Sequence, residues 1–262
     1  MKEYQTLLVE THGRITRVTL NRPDKLNAVS EVMHEELSRV FRDLAEDTTT
    51  DLIVLTGAGR AFSAGGDADY LRRMHDDEEV IEEVTRQGRA IVMSLLDLNV
   101  PIIAAVNGDA VGLGCSIALA CDCVIAADTA RFGDPHVRMG LVAGDGGAVF
   151  WPLLVGPARA KEYLLTGRLL SASEAERIGL VNRAVTADTL WDEVNALAAA
   201  ILANPLAAVR GTKRAINRAI VAEAAATLEF SLSLEAQSMR SADFAEAVAA
   251  FIEKRKPVYR AR

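Results

Sequence analysis

A histidine and an aspartate stand at the two ends of one short loop. His136 follows Pro135, and Asp145 comes nine residues later within Gly144-Asp145-Gly146-Gly147. Histidine titrates near neutrality, and a carboxylate orients it or exchanges a proton with it. The pair therefore suits general acid–base work on a substrate held above the loop. Asp145 also has a plainer role open, as the N-cap of a helix starting in the glycine run. The other histidines, His12, His34 and His75, stand in a turn or beside acidic residues and are expected on the surface.

Two glycine-rich turns offer the complementary chemistry. Ala61-Phe62-Ser63-Ala64-Gly65-Gly66-Asp67 follows a short apolar strand, and Val111-Gly112-Leu113-Gly114-Cys115 precedes a small-residue helix. Glycine lets backbone N–H groups approach a ligand closely. Two such turns aimed at one oxygen stabilise an oxyanion by about 2.7–4 kcal/mol per donor.

The elements that must hold these groups follow an α/β pattern. Strands are predicted at 6–10 and 15–20 as a hairpin, then at 51–57, 101–106 and 123–127. Ser30 is placed to cap a helix carrying Met33, Leu37, Val40, Phe41 and Leu44 at helical spacing. Another helix is predicted over 78–96 and a tightly packed one over 112–120. Composition turns alanine-rich near Leu190. Helices are predicted from Pro205 to Val221 and from Glu223 to Met239, with Asn204 as cap and Pro205 at the first helical position.

The chain has 262 residues, half of them hydrophobic, and a formal net charge of −7. That length supports a large core, and that charge gives no nucleic-acid face. No apolar run reaches the ~18 residues of a membrane span, so a cytoplasmic protein with no membrane partner is expected. Cys115, Cys121 and Cys123 lack the pairing of a zinc site and are expected as reduced thiols; no metal is expected. Lys254, Arg255, Lys256, Arg260 and Arg262 cluster at the end of the chain, as a solvated tail or as a phosphate site.

Taken in order, Asn21-Arg22-Pro23, Asn27-Ala28, the 61–67 turn, Pro101 to Gly108 and Ala120-Cys121-Asp122 closely resemble the crotonase (enoyl-CoA hydratase/isomerase) superfamily, as does the ending Phe251 to Pro257. The resemblance implies a crotonase-like spiral of strand-strand-helix turns over 1–190. It also implies a helical trimerisation region over 191–262, giving a homotrimer or a dimer of trimers. It puts the two oxyanion N–H groups on Ala64 and Leu113. It assigns coenzyme A, carried as part of the substrate and not as a separate cofactor, to Lys25, Leu26, Ala28, Ala64, Gly65, Gly66 and Asp67. Phe251 and Lys254 match residues that reach a neighbouring subunit's CoA.

The family's two catalytic glutamates are replaced here by Ser116 and His136. The remaining acid–base candidates are His136, Asp145 and Glu235, whose helix passes over the active site in relatives. Glu235 could equally be a solvated charge. The 136–152 loop is similar to the 6-oxocamphor hydrolase (β-diketone hydrolase) branch, which cleaves a C–C bond between carbonyls but has histidine where Leu113 stands. Asp145 also matches an aspartate of the naphthoyl-CoA synthase branch. The first expectation is therefore retro-Claisen hydrolysis of an acyl-CoA or diketone, with His136 activating water and Asp145 or Glu235 orienting it. The second is enoyl-CoA hydration or isomerisation with one base, Asp145 or His136. The third is a CoA-binding protein without catalysis.

Overall fold

The structure is a computed structural model, and it describes residues 3–259; Arg260 and Arg262 of the basic cluster lie outside that range. Strands β1 (Leu7–His12) and β2 (Ile15–Leu20) form the expected antiparallel hairpin. From β2 onward one step repeats: a strand in a large sheet, a few residues in a second small sheet, then a helix. β2 leads to Val29, bridged to Gly66, and on to α1 (Glu31–Ala45). β3 (Leu52–Gly57) leads to Ser63, bridged to Ala110, and on to α2 (Ala68–Asp76) and α3 (Glu78–Asp97). β4 (Ile102–Val106) is followed by β5 (Ala110–Val111) and α4 (Leu113–Leu119). β6 (Cys123–Ala127) is followed by β7 (Arg131–Gly133), a 3-10 turn at His136–Met139, and α5 (Gly147–Val155). This is the spiral that the resemblance implies.

The steps continue through α6 (Pro157–Thr166), β8 (Leu170–Ser171), α7 (Ala172–Arg177) and β9 (Arg183–Val185). The large sheet runs β1-β2-β3-β4-β6-β9 and the small one β5-β7-β8. Every pairing in the large sheet after the first is parallel. Parallel strands are covered on both faces, which is why β3 and β4 are buried at every position and, Thr56 apart, apolar.

Three helices complete the chain. α8 (Leu190–Leu202) packs Leu190, Val194 and Ala198 against Val54, Ile103 and Ile125 of the large sheet. α9 (Leu206–Met239) lies along α3, and α10 (Ala242–Ile252) against α2. Ala224, Leu228 and Leu232 of α9 join the main hydrophobic core. No single helix among the described residues is long and apolar enough to cross a membrane.

Some local expectations need correction. The two helices predicted over 205–239 are one helix of 34 residues. Asn204 does not cap it; its side-chain amide donates to Ala200 O and Ile201 O at the end of α8. His34 is buried, because each helical residue turns about 100° and Met33, His34, Leu37 and Phe41 share the inner face of α1. His75 is half-buried, its Nδ1 2.9 Å from Met239 O, while His12 is exposed as expected. Ser30 caps α1 as predicted, accepting from Met33 N.

Candidate active site

The loop after β7 delivers His136, and the elements around it deliver carboxylates. Asp134 lies two residues before His136, on the far side of Pro135. Its side chain has no solvent exposure, and Oδ1 contacts His136 Nδ1. Asp145 ends the loop, with Oδ2 3.4 Å from His136 Nε2. Glu235 comes from α9, with Oε1 3.6 Å from the same nitrogen. The three candidates separated by up to 99 positions in the chain thus meet at one imidazole. α9 reaches this depth because residue 144 is glycine. A Cβ there would lie 2.5 Å from Glu235 Oε2 and 2.6 Å from Ser231 O. The Ser231 hydroxyl donates to Gly144 O at 2.9 Å and ties the helix to the loop.

Asp145 is not a helix cap. α5 begins beyond Gly146, without a side-chain cap, and Asp145 Oδ1 accepts from the Ser116 hydroxyl at 3.2 Å. Ser116 stands where relatives of the resemblance carry a glutamate, and here it supports a carboxylate supplied from another segment. Glu235 is not a solvated charge either, being only 5% exposed.

Proximity divides the protons among these groups. Burial opposes charge on His136, but Asp134 and Asp145 outweigh it and hold its pKa well above the ordinary value. Burial also raises Asp145, but the imidazolium and the Ser116 hydroxyl outweigh that and hold it below the ordinary carboxylate value. Glu235 goes the other way, held well above its usual value by burial and then by the Asp145 charge. His136 thus keeps its proton to higher pH than a free imidazole, Asp145 gives its proton up more readily than a free carboxylic acid, and Glu235 holds its own to higher pH. Ligand atoms of Asp134, His136 and Asp145 lie within 4.8 Å of one another, close enough for a divalent cation.

The turns lie beside this group. Leu113 is the first residue of α4, after Gly112 at φ 56°, so its N–H has no partner within the helix. Ala64 does not fit the expected oxyanion role: its N–H already donates to Leu26 O at 3.0 Å. Gly66 fits better. Val29 N bonds Gly65 O and Asp67 N bonds Val29 O, so in this parallel bridge Gly66 turns its own N–H away from Val29. Among the described residues nothing bonds that N–H, and Gly66 lines the same cavity as Leu113, His136, Asp145 and Glu235. The remaining walls include Val29, Tyr70, Met74, Val84 and Leu232, and the cavity with its open mouth holds about 590 Å³.

The segments expected to hold CoA lie together. Lys25 ends a 3-10 turn at Pro23–Lys25, and Leu26 O, Val29 and Arg22 bind the 64–67 segment. Arg22 contacts Ala28 O and reaches Asp67 Oδ2 at 3.0 Å. Phe251 and Lys254 are not brought to the cavity of this chain; both are exposed at the end of α10. Arg255 in the same tail is paired with Glu246 and Glu253. The three cysteines are free thiols, and burial raises all three.

Three contributors went unassigned in the sequence: Asp134, Ser116 as a hydroxyl donor, and the buried His34. The Asp134-Pro135-His136 spacing was the available signal for the first.

Comparison with known proteins gives a consistent result. A family model described as enoyl-CoA hydratase/isomerase matches residues 10–262. A probable enoyl-CoA hydratase of Mycobacterium bovis is 38% identical over 256 residues, 98% of each chain. A short-chain-enoyl-CoA hydratase of Clostridium acetobutylicum is 36% identical over 255 residues, 97% of each chain. The crystal structure of an enoyl-CoA hydratase/isomerase from Mycobacterium paratuberculosis superposes with a TM-score of 0.91 at 42% identity. That match covers 95% of this chain and 99% of the other.

Proposed function

The chain belongs to the enoyl-CoA hydratase/isomerase family of enzymes, and on that footing we propose that it moves protons on an enoyl-CoA thioester, with Asp145 as the base. The observation that carries this reading is the set of carboxylates around His136: one at Nδ1 and two at Nε2. A histidine so surrounded keeps its proton and serves as a fixed positive charge, which leaves Asp145 as the ionised acceptor. Hydrolytic C–C cleavage would instead require a free lone pair on His136, and the names of the relatives favour hydration and isomerisation.

In this reading the thioester oxygen lies between the N–H groups of Leu113 and Gly66, where negative charge develops as the enolate forms. With a 3-enoyl thioester, Asp145 removes a proton from C2 and returns it to C4, so one base suffices. With a 2-enoyl thioester, Asp145 takes a proton from water as the water attacks C3, and protonated Glu235 delivers one to C2. CoA is part of the substrate, lies along Lys25, Leu26, Ala28 and the 64–67 segment, and no resident cofactor is needed. Phe251 and Lys254 serve the site of a neighbouring copy in a trimer or a dimer of trimers.

Assays with crotonyl-CoA and a 3-enoyl-CoA test the assignment. Asp145→Asn should lower kcat on both by at least ~100-fold, the scale of a positioned general base. Full activity in that variant would remove Asp145 from the mechanism. Glu235→Gln should lose hydration and keep isomerisation.

A further inference from the structure

A second histidine lines the same cavity, near enough to Asp145 for the two to act on each other. His34 on α1 is 3% exposed and lines the cavity. Its Nδ1 is 2.6 Å from Gln87 Oε1 on α3. The next bond decides which atom holds the proton. Gln87 Nε2 is 2.5 Å from Glu83 Oε1, and Arg86 holds that carboxylate at 2.5 and 2.9 Å. A carboxylate held by arginine only accepts, so the amide nitrogen must face Glu83 and the amide oxygen must face His34. Nδ1 is therefore the donor. Burial lowers the pKa of this ring, which makes it neutral at physiological pH. With one proton, on Nδ1, its Nε2 carries a lone pair.

Among the described residues nothing bonds Nε2, and it is not one of the sealed polar atoms that lack a partner. The cavity it lines has Val29, Met74, Val84 and Leu232 on its apolar walls, the Tyr70 ring tilted 5.8 Å away, and the Asp145 carboxylate close enough to act on the ring. An acceptor that its own fold orients and leaves unpaired beside the cavity lacks only a donor on the ligand. We propose that His34 is a specificity-determining residue whose Nε2 accepts a hydrogen bond from a hydroxyl on the acyl group, so that hydroxylated acyl chains are selected over plain hydrocarbon ones. The proposal rests on the acyl-thioester reading of this cavity and extends it to the class of acyl group. Sites built to bind a substrate hydroxyl discriminate strongly against the analogue without it, because the buried acceptor is then left unpaired.

The test uses 2-enoyl-CoA thioesters of equal length, one unsubstituted and the others with a hydroxyl at successive carbons beyond C3. Both kcat/KM and, with the saturated counterparts, dissociation constants from calorimetry are measured for wild type, His34→Leu and Gln87→Leu. Wild type should favour the best-placed hydroxyl by at least ~10-fold in both quantities, and the ratio should collapse toward unity in His34→Leu. A wild-type ratio at or below one for every hydroxyl position overturns the proposal, as does a ratio that His34→Leu leaves unmoved. If none of the thioesters turns over, the Asp145 reading fails while the binding ratios still judge His34. Should His34→Leu not fold, Gln87→Leu, which removes the acceptor that fixes the tautomer, must lower the ratio. The 15N spectrum of wild type must show Nε2 unprotonated, and a protonated Nε2 would refute the proposal.

Discussion

Asp145 and Glu235 carry the same functional group within reach of one imidazole, yet their pKa values are pushed in opposite directions. Asp145 gains more from the His136 charge and the Ser116 hydroxyl than it loses by burial, whereas Glu235 does not. Hydration needs Asp145 ionised and Glu235 protonated, so kcat/KM should rise through the lowered Asp145 pKa and fall as Glu235 loses its proton. The wild-type profile on the 3-enoyl substrate, whose isomerisation does not use Glu235, should lack the alkaline descent seen with the 2-enoyl substrate. Linkage gives a second prediction. His136 has a higher pKa folded than unfolded, so its stabilisation is fully present below the ordinary value of 6.5 and is lost as pH rises through the folded value. Urea titrations should find His136→Gln more destabilising at about pH 6 than at about pH 10. At this scale the sequence made His136, Asp145 and Glu235 legible through residue type and position. It misassigned the oxyanion N–H by two residues, because which amide is free depends on the Val29 and Leu26 pairings. It also misplaced His34, since acidic neighbours at 35 and 36 do not predict exposure; Glu36 itself is buried, holding Gln5 N and Thr6 N.

Among the elements, those defined by local chemistry were readable. Ser30 before a periodic apolar run gave α1, and unbroken apolar runs gave β3, β4 and β6. The helix expected from the glycine run does begin there, as α5, but its extent was hidden, because its interior holds Pro152 and Gly156-Pro157 follows at once. Such residues read locally as breakers, and only packing of Val149, Phe150 and Trp151 into the core overrides them. The contact between this loop and α9 makes a sharp prediction. Gly144→Ala must push Glu235 and the Ser231 carbonyl aside, costing about 1–3 kcal/mol in unfolding free energy. The same variant should lose hydration activity through displacement of Glu235. A stable, active Gly144→Ala enzyme would show that α9 is held less closely than the geometry requires.

For the whole molecule, the described surface retains large apolar side chains where a lone subunit has no use for them. Ile216 and Phe230 of α9 are 61% and 68% exposed, and Leu165 at the end of α6 is 72% exposed. Such side chains fit a surface covered in an assembly of several copies. Light scattering should give a mass of three or six subunits. Ile216→Asp together with Phe230→Asp should lower that mass and make the melting temperature depend on protein concentration. This part of the reading was legible as an alanine-rich, apolar late region but was divided into two helices, although residues 212–239 hold no glycine or proline to stop one. That continuity matters beyond architecture. Phe230 and Glu235 are five residues apart on one uninterrupted rod, about 7.5 Å along its axis. Force applied at the outer face therefore reaches Glu235 without a hinge to absorb it. With Phe230 covered by a neighbouring copy, as we propose, dilution that strips that copy away should change turnover before any loss of fold, so that specific activity would gauge assembly.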